Sequence, residues 1–365
     1  SLALQEGTLP AIDTPVPTED VSPELAAALK RPYPFSDPGI HVANNPPYPY
    51  VVAVPFVEAS AAAGLGGEVF GFRVFSLLGA VVAVGLSFAL GRELAGGDGF
   101  AGLVCAGLVS GVLTVAQVTS LANLDGPALA ATTGVTWALA RFVRTKAPAH
   151  ALHLGLWCAA AAAIRPMSLA FAVVAGSVAL VVHLRSRGLA SIGGVLARLA
   201  GPTAVVAGWF YVVNLRRYGD PTGSAGLFEK YGTPPGPSIV STLFSTAPFV
   251  QTLDYLLTDV YGRDPWWGPT GIDKWAVTAG ALVLVATVLW MARRSGRPET
   301  MATGRPRLCL TSWLAVVAIG VVPMLLTVKH VSGGGAGHAR YLLPVLPILA
   351  AAAAVVATRI DRWLG

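Results

Sequence analysis

Four short polar segments interrupt an otherwise apolar chain, and their side chains are of types that bind sugars and phosphates. They lie at residues 44–48, 123–127, 218–221 and 338–341. Amide and phenol groups hydrogen-bond hydroxyls, and a carboxylate can take the proton of a reacting hydroxyl. An arginine fork matches the oxygens of a phosphate. The segments therefore predict a ligand site if the fold brings them to one face.

The candidate site residues come from these segments and from two further cations, one of which lies between two short apolar runs. The predicted substrate-contacting residues are Asn44, Asn45, Tyr48, Asn123, Arg217, Tyr218 and Asp220. The predicted phosphate-binding residues are Arg165, Lys329, His338 and Arg340.

Each segment also has a purely structural interpretation. Asn123 and Asp125 precede Pro127, as N-cap residues do at a helix start. Gly-Asp-Pro at 219–221 is typical of a turn, and arginines near a bilayer surface can snorkel. Both interpretations stay open at this level.

Composition places these segments in an integral membrane protein. The chain has 365 residues, 54% hydrophobic and 12% charged, whereas a soluble domain carries about 25% charged residues. A membrane-spanning helix needs about 20 apolar residues. The apolar runs predict nine spans, at 70–91, 100–118, 126–143, 148–164, 167–184, 199–214, 273–292, 308–328 and 341–358.

Charge predicts how these spans are oriented. Basic residues cluster at alternate span ends, which the positive-inside rule places in the cytoplasm, so they do not indicate nucleic-acid binding. The polar segments then face outward, provided that 48–64 is a re-entrant or interfacial helix that does not cross. We also expect an unseen first span before Ser1. The division is an external loop over 1–69, a six-span bundle over 70–214, an external loop with a surface helix over 215–272, and a three-span bundle over 273–365.

The order of motifs resembles the GT-C class of membrane glycosyltransferases, which includes protein mannosyltransferases and aminoarabinose transferases. It is most similar to a bacterial family of predicted membrane proteins of unknown function. The matching pieces are Asn-Pro-Pro-Tyr at 45–48 with Tyr50, Phe-Arg-Val-Phe-Ser-Leu-Leu at 72–78, Asn-Leu-Asp at 123–125, residues 214–221, and residues 339–347.

The resemblance implies a GT-C-like helical bundle in a bacterial plasma membrane, with its site on the extracytoplasmic side. The donor would be a polyprenyl-phosphate-linked sugar, and the acceptor a hydroxyl of an envelope glycan, lipid or protein. Transfer would proceed with inversion, with a carboxylate as base and cations stabilising the departing phosphate. No cofactor is predicted with certainty; a divalent ion stays open, as does the oligomeric state.

The chain departs from the family at its acidic motif, an Asp-Glu pair followed by His, which is absent here. The base is then expected before Ser1, or Asp37 or Asp125 takes its place. Two alternatives remain, a transporter or flippase of a lipid-linked glycan, and a non-catalytic subunit of an envelope assembly complex.

Overall fold

The computed structural model describes residues 45–65, 67–189, 191–224, 238–244, 286, 290, 310–332 and 341–364. Over these residues the chain is helical and contains no strand. The helices are α1 Tyr48–Ala62, α2 Gly67–Leu94, α3 Gly99–Gly111, α4 Leu113–Thr119, α5 Asp125–Thr145, α6 Pro148–Ile164, α7 Pro166–Arg187, α8 Ile192–Thr203, α9 Trp209–Tyr218, α10 Ile239–Phe244, α11 Leu310–Ser332 and α12 Leu346–Leu364. A π-helical turn, Ala204–Gly208, joins α8 to α9, and a 3-10 turn, Leu343–Val345, precedes α12.

Five helical stretches in the described residues are long and apolar enough to cross a membrane, as expected for an all-α membrane protein. They are Val69–Leu94, Pro166–Arg187, Ile192–Tyr218, Leu310–His330 and Leu343–Ile360. Each overlaps a predicted span. The predicted count of nine is not confirmed, and the span at 273–292 lies outside the described residues except for positions 286 and 290.

Two predicted spans differ from the helices found. The run 100–118 is two helices, because Val112 adopts an extended backbone (φ −76°, ψ 118°) that ends α3 before α4 begins. The span predicted at 199–214 is part of a longer stretch, Ile192–Tyr218, interrupted by the π-helical turn. Both differences arise at glycine- and β-branched-rich positions, where the preference for an unbroken α-helix is weak.

Helix α5 lies at the centre of the described bundle and packs against α2, α6, α7 and α11. Most of its residues are buried, including three threonines. The hydroxyls of Thr132, Thr133 and Thr136 each donate to the carbonyl four residues earlier, at 2.7–2.9 Å. Because these hydroxyls are satisfied within the helix, α5 can be buried even though it carries more polar residues than its neighbours.

Glycines let α2 and α5 approach closely where α5 begins. A Cβ atom at Gly126 would overlap the main chain of Ser76 on α2, and one at Gly79 would overlap the main chain of Gly126 and Pro127. This contact holds Asp125, the first residue of α5, against α2.

Gly126→Ala is expected to lower the free energy of unfolding by about 1–3 kcal/mol, because the added methyl overpacks the α2–α5 crossing. Thermal unfolding in detergent measures the effect. Gly85→Ala is the matched control, since nothing lies within 4 Å of a Cβ atom there. Equal melting temperatures for the two variants would contradict the proposed close contact.

The bundle has two polar ends. The Asp125 end holds the start of α5, the α6–α7 turn at Arg165 and the last turn of α11 at Lys329. At the opposite end Glu93 pairs with Arg144 at 2.5 Å, and Arg141 donates to His150 at 3.2 Å. Each end therefore holds one carboxylate–arginine pair, and the predicted orientation of the two ends stays a prediction.

Helix α1 packs across the first turns of α2. The rings of Phe56 and Phe75 lie 5.9 Å apart, and those of Tyr50 and Phe72 lie 6.0 Å apart. A Cβ atom at Gly71 would overlap the α1 main chain at Phe56. These contacts keep α1 near the Asp125 end, while its re-entrant or interfacial character stays a prediction.

Candidate functional site

Asp125 and Arg165 form a buried ion pair at the Asp125 end, through Oδ1 and Nη1. The Asp125 side chain is 1% exposed and the Arg165 side chain 21%. The second carboxylate oxygen, Oδ2, is also buried and has no hydrogen-bond partner among the described residues. A buried charged oxygen without a donor is costly, so this oxygen favours a site that a ligand or solvent completes.

The sequence places Arg165 at this point through the proline that follows it. A residue before proline is disfavoured in the helical conformation, and Arg165 is extended, with φ −146° and ψ 141°. Helix α6 therefore ends at Ile164, and α7 restarts with Pro166 in its first position, which proline favours. The resulting turn carries the Arg165 guanidinium to the start of α5.

Asn123 holds the other partner in place. Its side-chain oxygen accepts a hydrogen bond from the Asp125 main-chain N–H at 2.9 Å. Its amide nitrogen donates to the Val118 carbonyl at 3.0 Å. Asn123 thus fixes the loop that presents Asp125, in agreement with its structural interpretation, and the predicted contact with substrate stays a prediction.

The ion pair lines a small cavity of about 50 Å³, which we call the Asp125 cavity. One water needs roughly 10–15 Å³ of such space, so the cavity has room for a few hydroxyl-sized groups. Its polar lining residues are Asp125, Thr132, Arg165, Ser168 and Tyr341. Its other walls come from α7, α11 and the turn before α12.

A larger space of about 380 Å³, the Lys329 groove, lies between α7 and α11. It shares Met167 and Leu326 with the Asp125 cavity. Its polar lining residues are Thr222, Ser224, Lys329 and His330. The His330 ring stacks edge-on against Tyr341, with centroids 5.0 Å apart, and Nε2 lies 3.4 Å from the phenol oxygen. The two spaces are therefore adjacent, and Met167 and Leu326 line both of them.

A third space of about 450 Å³, the α7–α8 groove, neighbours the Lys329 groove along α7. The two share Leu169 and Val173. Its lining is almost wholly apolar and includes Gly176 and Leu180 of α7 and Leu196 of α8. The three spaces follow α7 from the Arg165 turn into the part of the helix that is apolar enough to cross a membrane.

Asp220 shapes the loop that lines the Lys329 groove. Its carboxylate accepts hydrogen bonds from the main-chain N–H groups of Thr222 and Ser224, at 3.0 and 2.8 Å, and from the Thr222 hydroxyl at 2.7 Å. This is the turn that its sequence predicts. Thr222 and Ser224, rather than Asp220, present their side chains to the groove.

The predicted residues Asn45, just before α1, and Tyr48, its first residue, lie beside the same end. Tyr48 accepts a hydrogen bond from Trp209 Nε1 at 2.7 Å, and the Asn45 amide donates to the Tyr50 hydroxyl at 3.5 Å. Burial raises the pKa of the Tyr50 phenol, against the opposing effects of Asn45 and of the Arg165 charge. The Tyr50 ring is therefore within electrostatic reach of Arg165.

Two further predicted residues do not line the cavity or the groove. Arg217 and Tyr218 end α9 and line neither the Asp125 cavity nor the Lys329 groove. Four lie outside the described residues, namely Asp37, Asn44, His338 and Arg340. In the described ranges, no group of three or more His, Cys, Asp or Glu side chains could hold a metal ion.

Several residues of the site were missed by sequence reasoning. Thr132 lies seven residues after Asp125, almost two helical turns, which places both on one face of α5; that spacing was a usable signal. Ser168, Thr222 and Ser224 carry no such pattern, because the contacts of distant helices bring them to the cavities. Comparison with protein-family models and with curated proteins gives no match for this chain. Its function is therefore inferred from these side chains.

Proposed function

We propose that this protein transfers a sugar from a polyprenyl-phosphate donor to a hydroxyl of a cell-envelope glycan, lipid or protein. The observation that carries the proposal is the row of three neighbouring spaces along α7. A buried carboxylate–arginine pair is followed by a groove with a lysine, and then by an apolar groove. This order suits an amphiphile with a reactive sugar, an anionic phosphate and a hydrocarbon tail.

The apolar groove is long enough to hold part of a lipid tail. From Leu169 to Leu180 its lining residues on α7 cover about 16 Å of helix axis, at 1.5 Å per residue. This is about half of the hydrocarbon thickness of a bilayer. A prenyl chain in this groove would lie beside α7 at the depth of the membrane's hydrocarbon core, where such a chain is soluble.

The charges at the head of the row are complementary to a phosphate. Lys329 is exposed and forms no salt bridge among the described residues. Arg165 immediately precedes Pro166, which lines the Lys329 groove. An ammonium and a guanidinium are the side chains that bind phosphate oxygens most strongly. A phosphate between them would place the attached sugar near the Asp125 cavity.

Asp125 is the described carboxylate placed to act as the base. In the proposed reaction the acceptor hydroxyl gives its proton to Asp125 as its oxygen bonds to the anomeric carbon. The bond from that carbon to the phosphate oxygen breaks, and the phosphate leaves with the electron pair, stabilised by the cations. This single displacement inverts the anomeric centre. The arginine-rich opposite end supports an extracytoplasmic location for the reaction, in the plasma membrane of a bacterium.

The proposal is tested by incubating the purified full-length protein with polyprenyl-phosphate sugars and envelope acceptors. Appearance of a glycosylated acceptor and of free polyprenyl phosphate is expected. A folded protein that transfers nothing across a panel of donors would argue against the proposal.

Gly176→Leu tests the tail site within the same assay. The new side chain enters open space, since nothing lies within 4 Å of a Cβ atom at Gly176, yet it fills part of the α7–α8 groove. We expect the KM for a long-chain donor to rise about tenfold, equivalent to roughly 1.4 kcal/mol of lost binding. Gly85→Leu is the control, because Gly85 lies on α2 in equally open space and lines none of the three spaces. Equal KM values for the two variants would exclude this groove as the tail site.

A further inference from the structure

We infer that Arg165 is shared between Asp125 and the phosphate of the bound lipid, so that phosphate binding loosens the ion pair and releases the Asp125 carboxylate. The inference rests on the proposed function, because it takes the ligand to be a polyprenyl phosphate. It assigns to the pair a role beyond holding the fold together, namely coupling donor binding to the exposure of the base.

The ion pair occupies one oxygen of the Asp125 carboxylate. Asp125 Oδ1 contacts the Arg165 guanidinium, so that oxygen is not available to a hydroxyl. Oδ2 is buried and has no hydrogen-bond partner among the described residues. The carboxylate is therefore held by one oxygen only, and a second donor entering the cavity would find the other oxygen unused.

The arginine has capacity for a second anion. A guanidinium carries five N–H donors, and in the described part of the chain Asp125 is the one ion-pair or hydrogen-bond partner that the structure gives it. About a fifth of the Arg165 side chain is exposed, while Asp125 is almost wholly buried. An incoming phosphate can therefore contact the exposed part of the Arg165 guanidinium before it reaches the buried Asp125 carboxylate.

Two anions near one cation compete for it. A phosphate near the pair is attracted by Arg165 and repelled by Asp125, as like charges are at short range. By linkage, the free energy by which the Asp125 charge weakens phosphate binding equals the free energy by which bound phosphate weakens the Asp125–Arg165 contact. Binding of the donor's phosphate thus frees the carboxylate that the acceptor hydroxyl needs.

The test is the affinity of the full-length protein in detergent for farnesyl phosphate, measured by calorimetry for wild type and Asp125→Asn. Asparagine keeps the shape of the side chain and removes its charge. We expect Asp125→Asn to bind farnesyl phosphate roughly tenfold more tightly, within the range of coupled sites. Farnesol, which lacks the phosphate, is expected to bind both forms equally. Asp125→Ser is a second uncharged variant in case the first does not fold.

Glu93→Gln is the matched control, because Glu93 is a carboxylate paired with arginine at the opposite end of the bundle. It should leave farnesyl phosphate affinity unchanged. Weaker or unchanged binding by the folded Asp125 variants would overturn the shared arginine, as would no binding by any form. The readout is phosphate affinity, so a failure to detect sugar transfer would count against the proposed function and leave this result standing.

Discussion

Replacing Asp125 by asparagine is expected to lower the rate of sugar transfer by about 10²–10⁴-fold, the usual contribution of a positioned general base. The reason is geometric and chemical: Asp125 is the buried carboxylate that lines the small polar cavity beside Arg165, and asparagine cannot take a proton. Transfer at saturating donor, measured in kcat, is the quantity that should fall. The donor KM should not rise, since the phosphate no longer competes with a carboxylate.

The control for this prediction is Glu93→Gln, which removes an equally paired carboxylate outside the three spaces. It should retain wild-type kcat. If Asp125→Asn were to transfer sugar at a rate near that of wild type while Glu93→Gln did the same, Asp125 would not be the base. Asp37, which lies outside the described residues, would then be the candidate to test.

Replacing Arg165 by alanine is expected to destabilise the protein by about 3–5 kcal/mol, because it leaves the buried Asp125 carboxylate without a counter-charge. The Asp125 side chain is only 1% exposed, so bulk solvent screens its unpaired charge poorly. Denaturant-induced unfolding in detergent micelles measures the loss. The effect is independent of any ligand and therefore of the proposed reaction.

A double variant makes this prediction sharper. Asp125→Asn combined with Arg165→Gln removes both charges, so most of the stability lost in Arg165→Ala should return. Arg187→Ala at the far end of α7 is the control; Arg187 is exposed and forms no salt bridge among the described residues. A loss in Arg165→Ala no larger than that in Arg187→Ala would show that the pair does not stabilise the fold.

The helices could be predicted from sequence because apolar runs and helix ends are local features. The spans at 70–91, 167–184 and 308–328 match helices closely, and prolines mark the starts of α6 and α7. The break at Val112 was missed, since nothing in the apolar run at 100–118 sets that residue apart. The polar interior face of α5 was also missed, because its threonines bond within their own helix.

From the sequence, the site could be predicted only as a set of residues at one end of the helical bundle, without the contacts between them. Asp125, Arg165 and Lys329 were each named from their position at a helix terminus, and the structure places all three around neighbouring spaces. Asn123 and Asp220 bond the main chain of their own loops, and their predicted contact with substrate stays a prediction. A polar residue in a turn has the same sequence signature whether it binds a ligand or its own main chain.

The sequence by itself determined that the chain is a helical membrane protein and which residues share an end of its bundle. Hydropathy and charge suffice for this, because a bilayer sorts residues by depth alone. The tertiary structure decided which residues of that end meet. Asp125 and Arg165 are 40 positions apart in the printed chain, and they pair because a glycine contact presses α5 onto α2 while the Arg165 turn crosses its start. Such contacts depend on how each helix is rotated about its axis and how near its neighbours lie, and a local pattern of residues determines neither.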